Sequence, residues 1–572
     1  MEIKTYLQYK QVSGRTSTLD ELYAALAKVD RSAMLRVIST IGFSLDFLNN
    51  HSSEDTQRAL ISQLFPQFLA SQILKNQDSV FHRHQLLFLA QEVVQHCSDL
   101  SVGAPSPRSE ELGLIFLMTN DHLYRPAKLS NTPHGDQLQL ILDFLPVSEA
   151  NLFTTALLKM ARAHLMVTTF AENRRGQPGF FDIPFLFHQA TGIHYRTFEA
   201  LMAGVFTRLV NVQGPAANPT NFGLPISFFD QLPVDKGEIA AFFRMITSTP
   251  EQYATQLGVL RPRPNDFRVI RDKPLVRITD VCLPIDAHSA LEKFESGVYW
   301  NIFESLSEEA KKSFPSFWGK VFEDYALWLL GESCDGRRNR LYRNPKYADD
   351  LQQEVCDAII VCDRTAIFIE IKGNTITSEG KYGADVDLLK NELEKKYVGT
   401  ERSRKGVRQL VAAIETTCRR RDPRLIENID LTFVSAVMPL LVTRDDMGGY
   451  FGVNAYLNAR FRELFGRSKF QKSVTPCFCL CSDTLEKLTP YLCDTPLAEI
   501  LASRLKADRV LRAPFFARIG SILERKNKGG PDRQPTLLKD ATFAVRDVAR
   551  EVYGVVSAVR SQLGSEDMVD RT

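Results

Sequence analysis

Residues 354–373 read EVCDAIIVCDRTAIFIEIKG, two apolar runs separated by the polar pair Asp363-Arg364. Short apolar runs on either side of a two-residue polar turn predict a β-hairpin. With Asp363 and Arg364 as the turn, Asp357 on the first strand lies directly opposite Glu370 on the second. Directly opposed Cβ atoms are about 4.5–5.5 Å apart, so the hairpin is expected to bring two carboxylates together.

Lys372 adds an ammonium group to this patch, because side chains two residues apart on a strand project from the same face. Two carboxylates this close repel each other, and burial makes their charge more costly still. A hard divalent cation removes the conflict, since Mg²⁺ takes carboxylate oxygens and waters as ligands. Such an ion polarises a phosphoryl oxygen and lowers the pKa of a bound water. Lys372 is then placed to orient that water, to help deprotonate it, or to offset developing negative charge.

The hairpin lies within an alternation of helices and strands that is typical of an α/β sandwich. Helical patterns cover 287–306, 315–331, 384–397 and 403–420, and strand patterns cover 339–343, 353–362, 365–372, 431–443 and 474–481. Helical patterns return after the last strand, over 483–525 and 535–562.

Asp357, followed on the next strand by the run Glu370-Ile371-Lys372, resembles the PD-(D/E)XK nuclease superfamily in its ExK form. The core of that family is a helix, a three-stranded meander, a helix and a further strand, and residues 315–443 follow this order. The resemblance implies a restriction-endonuclease-like α/β core (αβββαβ) and metal-dependent hydrolysis of phosphodiester bonds.

The resemblance also implies roles for individual residues. The ligands of Mg²⁺ or Mn²⁺ would be Asp357, Glu370, the Ile371 carbonyl and Glu323. Glu323, on the preceding helix, would bridge to metal-bound water or a second ion, and its neighbour Asp324 points further round that helix. Lys372 would position the attacking water, and Gln409 on the following helix would contact water or a backbone phosphate.

Two features depart from the family pattern. Cys356 stands where the proline of the family name would be, and the insertion 373–402 is long. The resemblance covers about a quarter of the chain and does not extend to residues 1–265. The alternative is a plain hairpin edge on which Glu370 and Lys372 are solvated, although the apolar residues around them favour a buried strand.

Basic side chains flank this core on both sides. Those expected to contact nucleic acid are Arg338, Arg340, Arg343, Lys405 and Arg408. Neutralising phosphates requires Lys and Arg, and tyrosines at 342, 347 and 397 lie among these residues. Taken singly, each basic group is also compatible with ordinary solvated surface.

The charge distribution divides the chain. Its 572 residues have a net charge of +2, but residues 1–265 carry only 22 Lys or Arg and 23 Asp or Glu. Charged residues rise from about a sixth of the first part to nearly a third of the rest. We therefore expect an α+β multidomain chain: an all-helical sensor or interaction domain (1–265), the nuclease core (266–482), and a helical extension packing on that core (483–572).

Several classes are excluded. No run of 18 apolar residues exists, which argues against membrane spans, and the start of the chain lacks the pattern of a secretory signal. The ten cysteines show no disulfide-framework spacing, which is typical of a cytoplasmic protein. No phosphate-binding GxxxxGK(S/T) loop occurs, and no histidine follows His288, so histidine-dependent hydrolysis is excluded from the second half.

The expected function is therefore a Mg²⁺-dependent nuclease acting on nucleic acid, DNA in preference to RNA and endonuclease in preference to exonuclease. By analogy alone, the extra helical domain fits bacterial restriction or antiphage defence. Two alternatives stay open: a catalytically silent nucleic-acid-binding module, and a protein that binds a protein partner or a second copy through its N-terminal domain.

Overall fold

The computed structural model describes the chain from Tyr6 to Tyr553 with gaps. The residues outside the description are 1–5, 48–52, 77–78, 101–108, 124–133, 149–152, 212–221, 231, 261–265, 333, 335, 337–338, 348–349, 384, 404, 420–428, 467–471, 493, 514, 516–519, 521–522, 524–535 and 554–572.

The first part of the chain is dominated by helices. They are α1 Tyr9–Ser13, α2 Leu19–Leu26, α3 Arg31–Phe47, α4 Ser53–Leu64, α5 Gln67–Lys75, α6 Arg83–His96, α7 Ser109–Leu123, α8 Gly135–Ser148, α9 Phe153–Leu165, α10 Ile183–Thr191, α11 Tyr195–Asn211, α12 Ser227–Asp230, α13 Lys236–Ile246 and α14 Pro250–Leu260. Local hydrogen bonds set where helices begin. At the start of α2, the Thr18 side chain accepts a hydrogen bond from the Glu21 N–H, and the Glu21 side chain accepts one from the Thr18 N–H, which together form a capping box.

A small sheet corrects the expectation that residues 1–265 are all helical. Its strands are β1 Leu224–Pro225, β2 Thr247–Ser248, β3 Leu275–Ile278 and β4 Val281–Pro284, in the spatial order β1-β4-β3-β2. Two-residue strands carry no period-2 pattern, which explains why the sequence does not reveal β1 and β2. This sheet joins residues from both sides of the segment 261–265.

The larger sheet contains the hairpin. Its strands are β5 Asn339–Arg343, β8 Ala358–Cys362, β9 Thr365–Lys372, β10 Ala436–Thr443, β11 Ser473–Val474 and β12 Phe478–Cys481, and a separate ribbon pairs β6 Lys346–Tyr347 with β7 Asp350–Glu354. The strands β5, β8 and β9 are antiparallel neighbours, and β10 runs parallel to β9. Both β11 and β12 pair with β10 in parallel.

Helices cover the larger sheet and complete the chain. They are α15 Arg268–Asp272, α16 Ala287–Glu292, α17 Val298–Ser305, α18 Glu308–Glu332, α19 Ser378–Tyr382, α20 Val386–Leu393, α21 Gly406–Arg419, α22 Val453–Phe465, α23 Ser482–Leu492, α24 Leu497–Ala507 and α25 Thr536–Tyr553. In the C-terminal part, α23 packs against α18 and β12, whereas α25 packs against α9 and α11. No helix in the described part of the chain is long and apolar enough to cross a lipid bilayer.

The two faces of the larger sheet are buried in different cores. Ile367, Ile369 and Ile371 pack with α18, while Ala366 and Phe368 pack in a second core with α20, α21 and α22. Because strand side chains alternate between faces, the next position on the second face is Glu370, which is fully buried. The chain is thus an α+β protein with a carboxylate at the end of an otherwise apolar strand.

The observed strands refine the predicted ones. The predictions 339–343 and 365–372 are confirmed at both ends. The predicted strand 353–362 is wrong as one element, because Val355 donates to the Pro345 carbonyl at 2.7 Å and the Asp357 carbonyl accepts from Asn344 at 2.9 Å. These bonds turn the chain out of the ribbon and into β8, and they leave Asp357 just before that strand.

Candidate functional site

The hairpin and its register are confirmed. The strands β8 and β9 pair from Ala358↔Ile369 to Cys362↔Thr365, with Asp363 and Arg364 as the two-residue turn. Asp363 has φ 47°, the left-handed conformation that Asp tolerates and that such turns require. Continuing the register by one residue sets Asp357 opposite Glu370.

Asp357 is held at the mouth of the hairpin by β9. Its Oδ2 accepts a hydrogen bond from the Ile371 backbone N–H at 2.5 Å. The Lys372 Nζ lies 3.9 Å from the same oxygen, so the carboxylate has a cation near it but not in direct contact. Asp357 is buried, with 9% of its surface exposed.

Glu370 is the most deeply buried carboxylate of the cluster. It is fully buried, and its Oε2 accepts from the Lys372 Nζ at 2.8 Å. Its Oε1 has no hydrogen-bond partner among the described residues. Burial, with a further contribution from the Asp357 carboxylate, raises the pKa of Glu370 well above its usual range although Lys372 opposes the rise. A buried carboxylate oxygen without a donor requires a proton or a cation.

Lys372 is present as an ammonium ion. Burial alone would lower its pKa, but the charges of Glu370 and Asp357 outweigh burial and raise the pKa of Lys372 above its usual value. Its side chain is largely buried. A charged ammonium group can orient water and neutralise developing negative charge, whereas it cannot accept a proton.

Glu323 approaches the same cluster from α18. Burial, followed by the charges of Asp357, Asp324 and Glu354, raises the pKa of Glu323 to about 7, with Lys372 opposing. The neighbouring Asp324 binds a different residue: its Oδ2 accepts a hydrogen bond from the Arg174 Nε at 2.7 Å. Asp324 is thus paired away from the hairpin, and the predicted site role of Glu323 stays a prediction.

A close backbone contact fixes α18 against the end of β9. A Cβ atom built on Gly373 would lie 2.7 Å from the Gly319 Cα and 3.2 Å from the Gly319 carbonyl oxygen. Gly319 precedes Glu323 by four residues, about one helical turn. Gly373 therefore allows the helix to approach the strand at the height of the carboxylate cluster.

The other predicted site residues are not brought to this cluster by any described contact. Gln409 lies half-buried on α21, and the Arg408 Nε donates to the Gly399 carbonyl at 3.1 Å. Arg343 and Lys405 are exposed. Arg340 is also exposed and donates to the Gly336 carbonyl at 3.2 Å, and Arg338 lies outside the described residues.

Sequence reasoning missed the Arg444-Asp445 pair that follows β10. The Arg444 N–H donates to the Lys372 carbonyl at 3.0 Å, and its buried guanidinium lies over the Trp318 ring. Asp445 accepts from the Ile376 N–H at 2.8 Å and pairs with Lys381 at 2.7 Å. The one sequence feature that could have indicated this pair is its place directly after the strand β10. Because β10 runs parallel to β9, the residues that follow it lie at the same edge of the sheet as Lys372.

Two other groups place three potential metal ligands within 4.8 Å of one another in the described part of the chain. They are His188, His194 and Glu238, and His288, Glu292 and Asp446. The second group is already matched by cations, since Lys159 contacts Asp446 at 2.5 Å and Arg271 pairs with Glu292. The carboxylates of Asp357, Glu370 and Glu323 do not form a group of this compact kind.

Comparison with protein-family models, with curated proteins and with solved structures finds no match to this chain.

Proposed function

We propose that this protein is a metal-dependent nuclease that hydrolyses phosphodiester bonds in nucleic acid, with DNA as the preferred substrate and internal cleavage as the preferred mode. The observation that carries the proposal is the buried Glu370 carboxylate, whose Oε1 lacks a donor among the described residues, beside Asp357 and Lys372. A hairpin that served only packing would gain nothing from three charged groups at this position.

The order of elements supports the same proposal. Helix α18, the antiparallel strands β5, β8 and β9, helix α21 and the parallel strand β10 follow one another as the core of the PD-(D/E)XK superfamily requires. The carboxylates lie at the end of β9 and just before β8. The restriction-endonuclease-like core therefore remains our interpretation of this topology.

The donor set fits a hard divalent cation. Asp357, Glu370 and the Ile371 carbonyl would hold Mg²⁺ or Mn²⁺, with Glu323 in reach through water, since these ions prefer oxygen ligands and retain waters. When bound, the ion would supply Lewis-acid activation of the phosphate and of a water nucleophile. The Glu370 Oε1, which has no hydrogen-bond partner in the described chain, is the oxygen that would be free to bind such an ion.

The protein's own groups would direct in-line attack of water on the phosphorus. The Lys372 ammonium would orient the water and offset negative charge that develops on the phosphate. Glu323, whose pKa is about 7, would accept the proton released by the water, because a base is most effective when its pKa lies near the working pH. Exposed Arg340, Arg343 and Lys405 would contribute to phosphate contacts along the substrate.

The test is cleavage by the purified full-length chain. Supercoiled, linear and single-stranded DNA and RNA are incubated with Mg²⁺, Mn²⁺ or EDTA, using wild type, Glu370→Gln and the control Glu486→Gln. Glu486 is another buried carboxylate, in a cluster that shares none of these residues. We expect cleavage that EDTA and Glu370→Gln abolish and that Glu486→Gln retains. Cleavage that survives EDTA would refute the proposal, and salt-sensitive binding without cleavage under any metal would favour a silent binding module.

The proposed setting is a bacterial restriction or antiphage-defence role in the cytoplasm, with the N-terminal helices binding a protein partner or a second copy. This rests on analogy with nucleases that carry an additional helical domain. Phage plating efficiency on cells that express wild type or Glu370→Gln tests it, and equal plating on both would contradict it.

A further inference from the structure

Two histidines and one glutamate meet in the N-terminal part of the chain, apart from the carboxylate cluster of the proposed nuclease site. His188, His194 and Glu238 each offer one potential ligand atom, and these atoms lie within 4.8 Å of one another. His188 belongs to α10 and Glu238 to α13, while His194 directly precedes α11. His188 and Glu238 are half-buried and His194 is exposed, so a small ion can reach the group from solvent.

A tight turn between α10 and α11 holds the two imidazole rings together. Gly192 ends α10 with a φ of 75°, and its N–H donates to the His188 carbonyl at 2.8 Å. Ile193, the next residue, is fully buried and anchors the turn on the core. As a result, the His188 and His194 rings stack with their centroids 4.0 Å apart. Two imidazolium ions at this distance would repel each other, whereas neutral imidazole is the form that binds metal ions.

The carboxylate is positioned by the start of α13. Asp235 caps this helix, because its Oδ1 accepts from the Gly237 and Glu238 N–H groups at 2.8 and 3.1 Å. The Glu238 Oε1 accepts from the His194 backbone N–H at 2.9 Å and also contacts the His194 Nδ1. Within the described residues, Glu238 forms no ion pair with a lysine or arginine. Its negative charge is therefore not matched by a fixed cation.

His188 completes the group with an unused pair of ring nitrogens. In the part of the chain that the structure describes, neither nitrogen makes a hydrogen bond, and the ring stacks on His194. A nitrogen of His188 is thus available to bind an ion together with the hydrogen-bonded pair of His194 and Glu238.

The donor set favours a transition-metal ion over the hard cation proposed for the hairpin cluster. Imidazole nitrogens suit Zn²⁺, whereas Mg²⁺ prefers ligands that are all oxygen. Two imidazoles and one carboxylate, with a fourth position left to water, form a ligand set that Zn²⁺ accepts in proteins. Tetrahedral bonds of about 2.0–2.2 Å place ligand atoms roughly 3.4 Å apart, so ligand atoms within 4.8 Å of one another need only small side-chain rotations.

We propose that His188, His194 and Glu238 bind one Zn²⁺ ion. The ion would take the place of the proton that His194 and Glu238 share, and a water would occupy its fourth position. It would also tie the end of α10 to the starts of α11 and α13. An ion that binds the folded chain in preference to the unfolded one raises the melting temperature, so Zn²⁺ is expected to stabilise this part of the protein.

The test is calorimetric titration of Zn²⁺ into the full-length protein in excess Mg²⁺, which competes at sites built from oxygen ligands alone. We expect a Zn²⁺ binding event that persists in excess Mg²⁺ and in Glu370→Gln, and a melting temperature that rises with Zn²⁺. Loss of the binding event under either condition would overturn the proposal, because the zinc would then have occupied the carboxylate cluster. Failure of the nuclease proposal would leave this result unchanged.

Variants locate the site. His188→Gln and Glu238→Gln are each expected to weaken Zn²⁺ binding at least tenfold and to remove the rise in melting temperature, because each removes one ligand. His134→Asn is the matched control: His134 also contacts a carboxylate, that of Glu463 at 2.7 Å, but belongs to no three-ligand group among the described residues. Asn tolerates the φ of 62° at this position, and the variant should bind Zn²⁺ as wild type does. Unchanged binding in both His188→Gln and Glu238→Gln would contradict the assignment.

Discussion

Two clusters of buried charge adjoin the same helix, α18, and they differ in how their charges are matched. On α18, Glu323 approaches the hairpin cluster of Asp357, Glu370 and Lys372, whereas Tyr325 donates to Glu486 in a second cluster at 2.7 Å. In the second cluster each carboxylate contacts a cation. The contacts are Arg162 to Glu486, Asp483 and Glu295 at 2.7, 2.8 and 2.9 Å, and Lys159 to Asp446 at 2.5 Å.

The hairpin cluster lacks such pairwise matching. One ammonium, that of Lys372, serves Glu370 directly and Asp357 only at 3.9 Å, and no described contact pairs Glu323 with a cation. Burial of charge is therefore not by itself a functional signal. The Glu370 Oε1 and the Glu486 Oε2 both lack a hydrogen-bond partner in the described chain. What distinguishes the hairpin cluster is that a single ammonium group lies among its three carboxylates.

The largest effect is expected when the second cluster loses its guanidinium. Arg162→Met would leave Glu486 buried without its cation, while Asp483 would keep Lys159 at 3.4 Å and Glu295 would keep Arg444 at 3.9 Å. Breaking a buried ion pair from one side costs about 3–5 kcal/mol. Urea unfolding should show this loss. Arg175→Met is the control, because Arg175 is exposed and its surface ion pairs contribute little. A loss below about 1 kcal/mol for Arg162→Met would contradict the structural role of this cluster.

A substitution in the hairpin cluster is expected to reduce the rate of nucleic-acid cleavage. Lys372→Met is expected to reduce the cleavage rate about 10²–10³-fold, as removal of one electrostatic contact to the transition state does, with rates measured under conditions in which urea unfolding shows the variant to be folded. Lys311→Met, which removes a lysine paired with Glu308 at 2.9 Å on α18, should cleave at the wild-type rate. If Lys372→Met cleaves normally, the ammonium has no part in the reaction.

The pH dependence of stability should trace to Glu486. Burial raises the pKa of Glu486 to about 7 although Arg162 opposes the rise. Because the folded pKa exceeds the unfolded value of about 4.5, this residue contributes stability below pH 4.5 that is lost as the pH rises through about 7. Glu486→Gln should flatten that part of the melting-temperature profile between pH 5 and 8, an effect of about 3 kcal/mol at most. Parallel profiles for variant and wild type would contradict the assignment.

The smallest effect concerns the glycine contact beside the hairpin cluster. Gly373→Ala would place a methyl group against the Gly319 backbone and displace α18, so cleavage should fall about tenfold, which corresponds to about 1.4 kcal/mol. Gly319→Ala is the matched control, because a Cβ there meets no atom within 4 Å; it should cleave normally. Equal rates in the two variants would show that the approach of α18 does not position Glu323.

Much of the hairpin could be predicted from the sequence because its determinants are local. The apolar runs and the Asp363-Arg364 turn define the register, and the register brings Asp357, Glu370 and Lys372 together. The bend at residues 355–357 could not be predicted, since it depends on bonds to Asn344 and Pro345 across the ribbon.

Other parts depend on tertiary contacts that no local pattern encodes. The strands β1 and β2 exist only through pairing with β3 and β4. Arg444 and Asp445 reach the edge of the site only because β10 lies parallel to β9. The predicted roles of Gln409 and of the basic residues depend on a bound substrate and stay predictions.

The most direct test of the central claim is calorimetric titration of Mn²⁺ into wild type, Glu370→Gln and Glu486→Gln. Both variants remove one buried carboxylate, but only Glu370 belongs to the cluster with unmatched charge. We predict a binding event in wild type that Glu486→Gln retains and Glu370→Gln loses. Mn²⁺ binding that is unchanged in Glu370→Gln, or that is lost in Glu486→Gln instead, would contradict the account.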